Sequence, residues 1–132
     1  MSGGGGAAHP LGLRTVIYHV PDLPRARAWY SAAFGATPYF DEPFYVGFSI
    51  GGFELGLDPD CSRVPPGEGG AAAYWGVREL SASHDAFTAA GARVLEPPRE
   101  VGGGIKVAMY ADPFGNAIGL IENPHFDAGA VR

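Results

Sequence analysis

Apolar and polar residues follow one another in an order that predicts a strand, a helix and three further strands in the first half of the chain. Residues 13–20, LRTVIYHV, are rich in β-formers and predict a strand. Asp22 is placed to cap a helix that Gly35 would end. Strands are then predicted in TPYF, FYVGFSI and FELGL, the last two joined by a Gly-Gly hairpin turn at 51–52. The helix is predicted from apolar residues at i, i+3, i+4 and i+7, which are Ala26, Trp29, Tyr30 and Ala33.

The second half of the chain repeats this pattern. Residues 71–77, AAAYWGV, predict a strand, Ser81 is a candidate N-cap, and Gly91 is placed to end the helix. A short strand around residues 94–95, the strand IKVAMYA, a DPFG turn and the strand NAIGLIE complete the half. We therefore predict an α+β fold of two tandem βαβββ modules. The second helical stripe lies 57 residues after the first, at Ser83, Ala86, Phe87 and Ala90.

The repeat also sets the predicted domain organisation, which is a single domain over residues 12–124. Module one spans 12–58 and module two spans 71–124, and the Pro- and Gly-rich segment 59–70 links them. We expect residues 1–11 to be a flexible arm and 125–132 to be a tail.

Composition narrows the classes of partner and the compartment. The chain has 132 residues, a formal net charge of −5 and no basic cluster, which argues against nucleic acid or anionic membrane as a partner. No apolar run approaches the roughly 20 residues that span a bilayer. The single cysteine, Cys61, excludes an internal disulfide and fits a reducing, cytoplasmic setting.

Two segments, VPDLPRARAWYSAAFGA and DPFGNAIGLIE, resemble the vicinal oxygen chelate superfamily, which includes glyoxalase I, extradiol dioxygenases and bleomycin resistance proteins. The resemblance implies that each module curls its sheet, that the modules enclose a cleft, and that the helices lie outside. In metal-dependent members, His, Glu or Gln on the first and last strands of each module hold one divalent ion.

The ligand positions that the resemblance implies carry few metal-binding side chains here. They fall on Thr15 and Ala72 in the first strands and on Gly56 and Gly119 in the last strands, with Glu54 as a nearby carboxylate. Zn, Ni, Mn or Fe needs three or more donors from the protein, so we expect no metal and no other cofactor. Gly119 then stands where a relative carries a ligand, and it lets another group approach the strand.

Strand alternation indicates which side chains line the cleft. Thr15, Ile17 and His19 share one face, while Val16, Tyr18 and Val20 share the face that we expect against the helix. His19 is interpreted as a strand-end histidine bonded to backbone or water, as a ligand contact, or as a metal ligand together with Glu54. The residues predicted to contact a ligand are Thr15, Ile17, His19, Glu54, Gly56, Ala72, Tyr74 and Gly119.

Glu54 has two interpretations. One is an ion pair with Lys106, Arg78 or Arg14. The other is a polar anchor or general base in the cleft, with the pKa of its carboxyl raised by apolar surroundings.

The expected function is binding of a small apolar or aromatic molecule in the inter-module cleft without a metal. The resemblance offers bleomycin resistance proteins as the precedent for binding without catalysis. Because their clefts form across a homodimer, we expect a homodimer here too. The alternatives are a metal-dependent lyase or dioxygenase, in which case Zn, Ni, Mn or Fe would be the cofactor, and a metal-free isomerase or lyase with Glu54 as catalytic base.

Overall fold

The computed structural model describes residues 13–62, 64–67, 69, 73–127 and 129, and it contains the two predicted modules. The first consists of β1 (Thr15–His19), α1 (Leu23–Phe34), β2 (Phe40–Glu42), β3 (Tyr45–Ile50) and β4 (Phe53–Asp58). The second consists of β5 (Ala73–Gly76), α2 (Leu80–Ala89), β6 (Arg93–Gly102), β7 (Ile105–Ala111) and β8 (Ala117–Glu122).

Each module forms its own four-stranded mixed sheet, with the order β1-β4-β3-β2 in the first and β5-β8-β7-β6 in the second. The first strand of each module pairs in parallel with the last, and the other pairs are antiparallel. The identical order in both sheets confirms the α+β fold of two βαβββ modules that the internal repeat predicts.

Local sequence signals define helix α1 as predicted. The carboxylate of Asp22 accepts a hydrogen bond from the backbone N–H of Arg25 at 3.2 Å, and Pro24 lies in the first turn. Gly35 ends the helix in the left-handed conformation, with φ of 62°.

The prediction that Ser81 caps the second helix is wrong. Helix α2 begins at Leu80, and Ser81 lies inside it. The residue before the helix, Glu79, makes no side-chain capping bond. Instead Glu122 on β8 accepts a hydrogen bond from the backbone N–H of Leu80 at 2.8 Å. A residue 42 positions away in sequence thus provides the cap, and no local motif reveals it.

The predicted buried stripe of α2 is only partly correct. Phe87 is buried, but Ala86 is exposed. Its counterpart in the first module is Trp29, which is itself only half-buried and reaches the core through its length. Alanine at the same angle on the helix is too short to do so.

Strand β6 is longer than the short strand predicted around residues 94–95. It runs over ten residues at the edge of its sheet and contains Pro97 and Pro98. Its pairing with β7 shifts register between Glu96 and Arg99, around these two prolines. Proline is tolerated at an edge strand and at bulges because no ladder hydrogen bond needs its missing N–H.

Aromatic side chains of both modules form one core between the helices and the sheet faces that carry them. The rings of Trp29 and Phe87 lie 6.2 Å apart, and those of Phe34 and Trp75 lie 5.9 Å apart. The indole N–H of Trp75 donates to the Tyr18 hydroxyl at 3.1 Å. The helices therefore cover the faces opposite those of the predicted site, and they also join the two modules.

The turn between β7 and β8 is a second junction between the modules. Asp112 and Asn116, at the ends of the DPFGN motif, are both buried. The Asn116 amide donates to the carbonyl of His19 at 3.1 Å, and its oxygen accepts from the N–H of Gly67 at 3.0 Å. One side chain therefore holds the end of β1 and the segment between the modules. Neither described helix is long and apolar enough to cross a membrane.

Candidate ligand-binding site

Five of the predicted site residues lie on one face of the first sheet. Parallel pairing of β1 with β4 places Thr15 beside Glu54 and Ile17 beside Gly56. His19 continues the same alternation along β1. The opposite face of β1 carries Tyr18, which is buried against α1, so the assignment of faces from the sequence is correct.

Three hydroxyl groups converge on the carboxylate of Glu54. Thr15 donates to Oε1 at 2.7 Å, and Tyr45 donates to the same oxygen at 2.8 Å. Tyr39 donates to Oε2. Glu54 is therefore anchored by neutral donors from three different segments of the first module.

This environment corrects the expectation of a raised pKa. The hydrogen bond from Tyr39 lowers the pKa of the Glu54 carboxyl below its ordinary value of 4.5, and the bonds from Thr15 and Tyr45 act in the same direction against the effect of burial. Among the described residues, no cation forms an ion pair with Glu54, including the expected Lys106, Arg78 and Arg14. The lowered pKa makes the Glu54 carboxylate a weaker base, which disfavours it as a general base.

Two glycines create the space that the tyrosines occupy. Gly47 and Gly56 face each other across β3 and β4. A Cβ atom at Gly56 would overlap with the Tyr45 hydroxyl, and one at Gly47 would lie 2.8 Å from Oε2 of Glu54. The absence of side chains at both positions therefore lets the tyrosine rings lie over the sheet and reach Glu54.

A cavity of about 520 Å³ lies above this cluster and opens to solvent. Tyr39 and Phe44 at its mouth are 64% and 65% exposed, which is high for large aromatic side chains. The residues that line the cavity are Tyr39, Phe40, Phe44, Tyr45, Glu54 and Asp58.

Of the six lining residues, only Glu54 belongs to the site predicted from the sequence. A signal for Tyr45 was nevertheless present. The two-residue turn at 51–52 fixes the register of β3 against β4, and Gly47 lies opposite Gly56 in that register. Tyr45 shares its face with Gly47 by strand alternation, and hence also with Glu54. Phe40 pairs with Gly47 on the next strand and joins the same face.

His19 lies at the end of β1 and is bonded to the backbone. Its Nδ1 donates to the carbonyl oxygen of Asp60 at 3.1 Å. This contact corresponds to the interpretation of His19 as a strand-end histidine, although the side chain stays on the cavity side of the sheet.

The remaining predicted residues lie on the second sheet. Tyr74 on β5 pairs with Gly119 on β8, and its ring covers the glycine so closely that a Cβ atom there would lie 2.5 Å from the nearest ring atom. Met109 lies opposite Gly119 on the same face, while Tyr110 points into the core. Ala72 lies outside the described residues. The cleft was expected between modules, but the residues of the described chain that line the cavity just defined all belong to module one.

The described residues do not fit the divalent metal that the resemblance implies for some relatives. In the described part of the chain, no three His, Cys, Asp or Glu side chains lie close enough together to hold an ion. Gly56 and Gly119, which match ligand positions, provide no donor, and the rings of Tyr45 and Tyr74 fill the space beside them. Thr15 and Glu54 remain, and they bind each other.

Comparison with solved structures identifies many with the same fold. A glyoxalase-related enzyme from Fulvimarina pelagi is 23% identical, with a TM-score of 0.74 over 91% of this chain and 94% of its own. Lactoylglutathione lyase from Agrobacterium tumefaciens is 21% identical, with a TM-score of 0.72 over 89% and 99%. TioX from Micromonospora sp. ML1 is 18% identical, with a TM-score of 0.66 over 84% and 98%. At these identities, the likeness shows the fold alone.

Comparisons of sequence lead to the family. No curated protein matches the chain significantly. The family model of the Glyoxalase/Bleomycin resistance protein/Dioxygenase superfamily matches residues 12–120, which cover module one, the DPFGN turn and module two as far as the middle of β8. The chain therefore belongs to the Glyoxalase/Bleomycin resistance protein/Dioxygenase superfamily.

Proposed function

We propose that the protein binds a small aromatic or apolar molecule in the cavity of its first module, without a resident metal ion. The observation that carries the proposal is the cavity itself, in which aromatic rings surround one ionised, hydroxyl-bound carboxylate. Such a combination of apolar walls and a few fixed polar groups is typical of small-molecule sites.

The chemistry of Glu54 supports binding over catalysis. A general base works best when its pKa lies near the working pH, and the hydrogen bond from Tyr39 lowers the pKa of Glu54 instead. Metal-dependent lyase and dioxygenase activities need a ligand set that Thr15 and Glu54 do not supply. The fixed carboxylate is better suited to orienting a ligand than to removing its proton.

We also propose that two copies of the chain pair over this cavity. Ile17 on the site face of the first sheet and Tyr74 on that of the second are 44% and 46% exposed, less than Tyr39 and Phe44 at the cavity mouth but still high for large apolar side chains. Contact between module one of one copy and module two of the other would cover both faces. The reducing, cytoplasmic setting inferred from the single cysteine remains part of the proposal.

Metal retention and ligand binding test the proposal together. Tag-free protein is incubated with Ni, Zn, Mn and Fe(II), desalted, and analysed for metal by mass spectrometry. Binding of benzyl alcohol, a neutral aromatic probe, is then measured by NMR titration of wild type and of Phe44→Ala. We expect no retained metal and weaker binding in the variant.

About one ion per chain would contradict the metal-free site, and equal binding by Phe44→Ala would contradict the cavity as the binding site. Phe44 suits this test because its ring is largely exposed, so its removal leaves the core intact. Sedimentation velocity of the same samples tests the dimer, which a purely monomeric protein at high concentration would contradict.

A further inference from the structure

The walls of the cavity combine four aromatic rings with two carboxylates. No basic side chain of the described residues is among them. We propose that the ligand is a small organic cation of the quaternary ammonium or sulfonium class, held between the rings and the carboxylates of Glu54 and Asp58. This inference rests on the proposed function and specifies the chemical class of its ligand.

The charge in the cavity is negative and lies on one strand. Glu54 and Asp58 are four residues apart on β4, so both side chains emerge on the same face. The pKa of Glu54 is lowered by the hydrogen bond from Tyr39, so this carboxylate is ionised at neutral pH. The chain as a whole is acidic, with a formal net charge of −5. The net negative charge of the chain would therefore attract a cation from a distance, and the two carboxylates would attract it inside the cavity.

Nearby basic groups do not cancel this charge. Arg27 is bonded to Asp41 at 2.7 Å, and this pair belongs to the helix side of β2. His19, which pairs with Asp58 across β1 and β4, directs Nδ1 to the Asp60 carbonyl. The two carboxylates thus remain as the charged groups in the wall of the cavity.

The rings present faces and edges in several orientations, as a site for a rounded cation requires. Phe40 and Phe44 lie edge to face with centroids 5.9 Å apart, and Phe40 and Tyr45 are tilted at 6.2 Å. The face of an aromatic ring attracts a cation within about 6 Å of its centroid, most strongly when the cation is poorly hydrated.

The hydrogen bonding of Glu54 selects among cations. An ionised carboxylate has about four lone-pair sites, and three are already used by Thr15, Tyr39 and Tyr45. A guanidinium or primary ammonium group needs acceptors for several N–H donors. A quaternary ammonium or sulfonium ion needs none, and it gains from the charge and the rings alone.

Four probes that share a benzyl group test the inference by NMR titration: benzyltrimethylammonium, benzylammonium, benzyl alcohol and phenylacetate. We expect benzyltrimethylammonium to bind about tenfold more tightly than benzyl alcohol. We also expect it to exceed benzylammonium, and phenylacetate to bind most weakly. In Glu54→Gln the preference for the cation over the alcohol should largely disappear, and in Asp58→Asn it should decrease.

The outcomes separate this inference from the proposed function. If benzyl alcohol or phenylacetate binds as tightly as benzyltrimethylammonium, the cation inference is overturned while the cavity remains an aromatic-binding site. If benzylammonium binds more tightly than the quaternary ion, the choice of cation class is wrong. If none of the four probes binds, both the inference and the proposed function are overturned. Ser49 on β3, which pairs with Glu54 on β4, provides a matched control. Ser49→Ala should leave the preference for the cation unchanged.

Discussion

The hydroxyl of Tyr30 on α1 donates a hydrogen bond to Oδ2 of Asp112 at 2.7 Å, and this buried contact joins the first module to the DPFGN turn of the second. The Tyr30→Phe substitution keeps the ring in the core but removes one donor from a buried carboxylate. We expect it to lower the free energy of unfolding by about 1–3 kcal/mol, because a buried acceptor is left short of a partner. Urea denaturation measures this loss.

Tyr74→Phe is the matched control, because it removes a hydroxyl from a side chain that is 46% exposed. We expect a change within about 0.5 kcal/mol for this variant. Equal stability of Tyr30→Phe and wild type would show that the contact does not hold the modules together.

Asn116 is the second residue of the DPFGN turn with a clear stability prediction. Its amide donates to Asp112 Oδ2 at 2.9 Å and to the carbonyl of His19 at 3.1 Å. Asn116→Asp replaces the donating nitrogen with an acceptor that faces the Asp112 carboxylate in a buried site. We expect a loss of roughly 2–4 kcal/mol in unfolding free energy.

The control is Asn123→Asp. The side-chain oxygen of Asn123 accepts a hydrogen bond from the N–H of His125 at 2.9 Å, and aspartate retains this accepting oxygen. Thermal and urea unfolding of both variants provide the comparison. Similar stabilities for the two would mean that the amide donor of Asn116 contributes little.

The internal repeat made most of the fold predictable, because several buried positions recur at a fixed spacing. Leu23 and Tyr30 of α1 have their counterparts 57 residues later in Leu80 and Phe87 of α2, and all four are buried. The cap from Glu122 was not predictable, since the contact depends on how β8 packs beside the helix. The repeat specifies which residues correspond, but not which distant group satisfies a helix end.

The candidate site was predictable only in part. Strand alternation placed Thr15 and Glu54 on one face, and the parallel register brings them together. Tyr39 lies outside any strand, so no alternation rule could direct its ring to Glu54. The sequence therefore could not predict how the Tyr39 hydroxyl affects the pKa of Glu54, and the expected direction of the pKa shift was wrong.

The pKa of Glu54 should respond to its donors in a fixed order. The hydrogen bond from Tyr39 is the largest cause of the lowered pKa, and the bond from Thr15 contributes less. We expect Tyr39→Phe to raise the pKa of Glu54 more than Thr15→Val does. Carbon-detected NMR titration of the carboxyl group measures both. A larger effect of Thr15→Val, or a wild-type pKa above that of an ordinary glutamate, would contradict the observed hydrogen bonding.

The same shift predicts how stability changes with pH. Because the folded state lowers the pKa of Glu54, its ionised form stabilises the fold above the ordinary pKa of 4.5, and this contribution is lost as pH falls through the folded-state value. Glu54→Gln should therefore be less stable than wild type at about pH 7, with the difference shrinking at about pH 3. Urea midpoints at the two pH values provide the measurement. A difference that grows in acid would have the wrong sign for this linkage.

Gly56→Ala tests whether the missing side chain at Gly56 leaves the space that the Tyr45 ring occupies in the site. The new methyl group would overlap with the Tyr45 hydroxyl, so the half-exposed ring must swing away and release Glu54. We expect roughly tenfold weaker binding of benzyl alcohol, since an aromatic contact and a hydrogen bond together contribute about 1–2 kcal/mol. The pKa of Glu54 should rise at the same time, because one donor is lost. Gly76→Ala on β5 is the control, since a Cβ atom there meets open space. If Gly56→Ala binds as tightly as this control and Glu54 keeps its pKa, the ring over Gly56 has no part in the site.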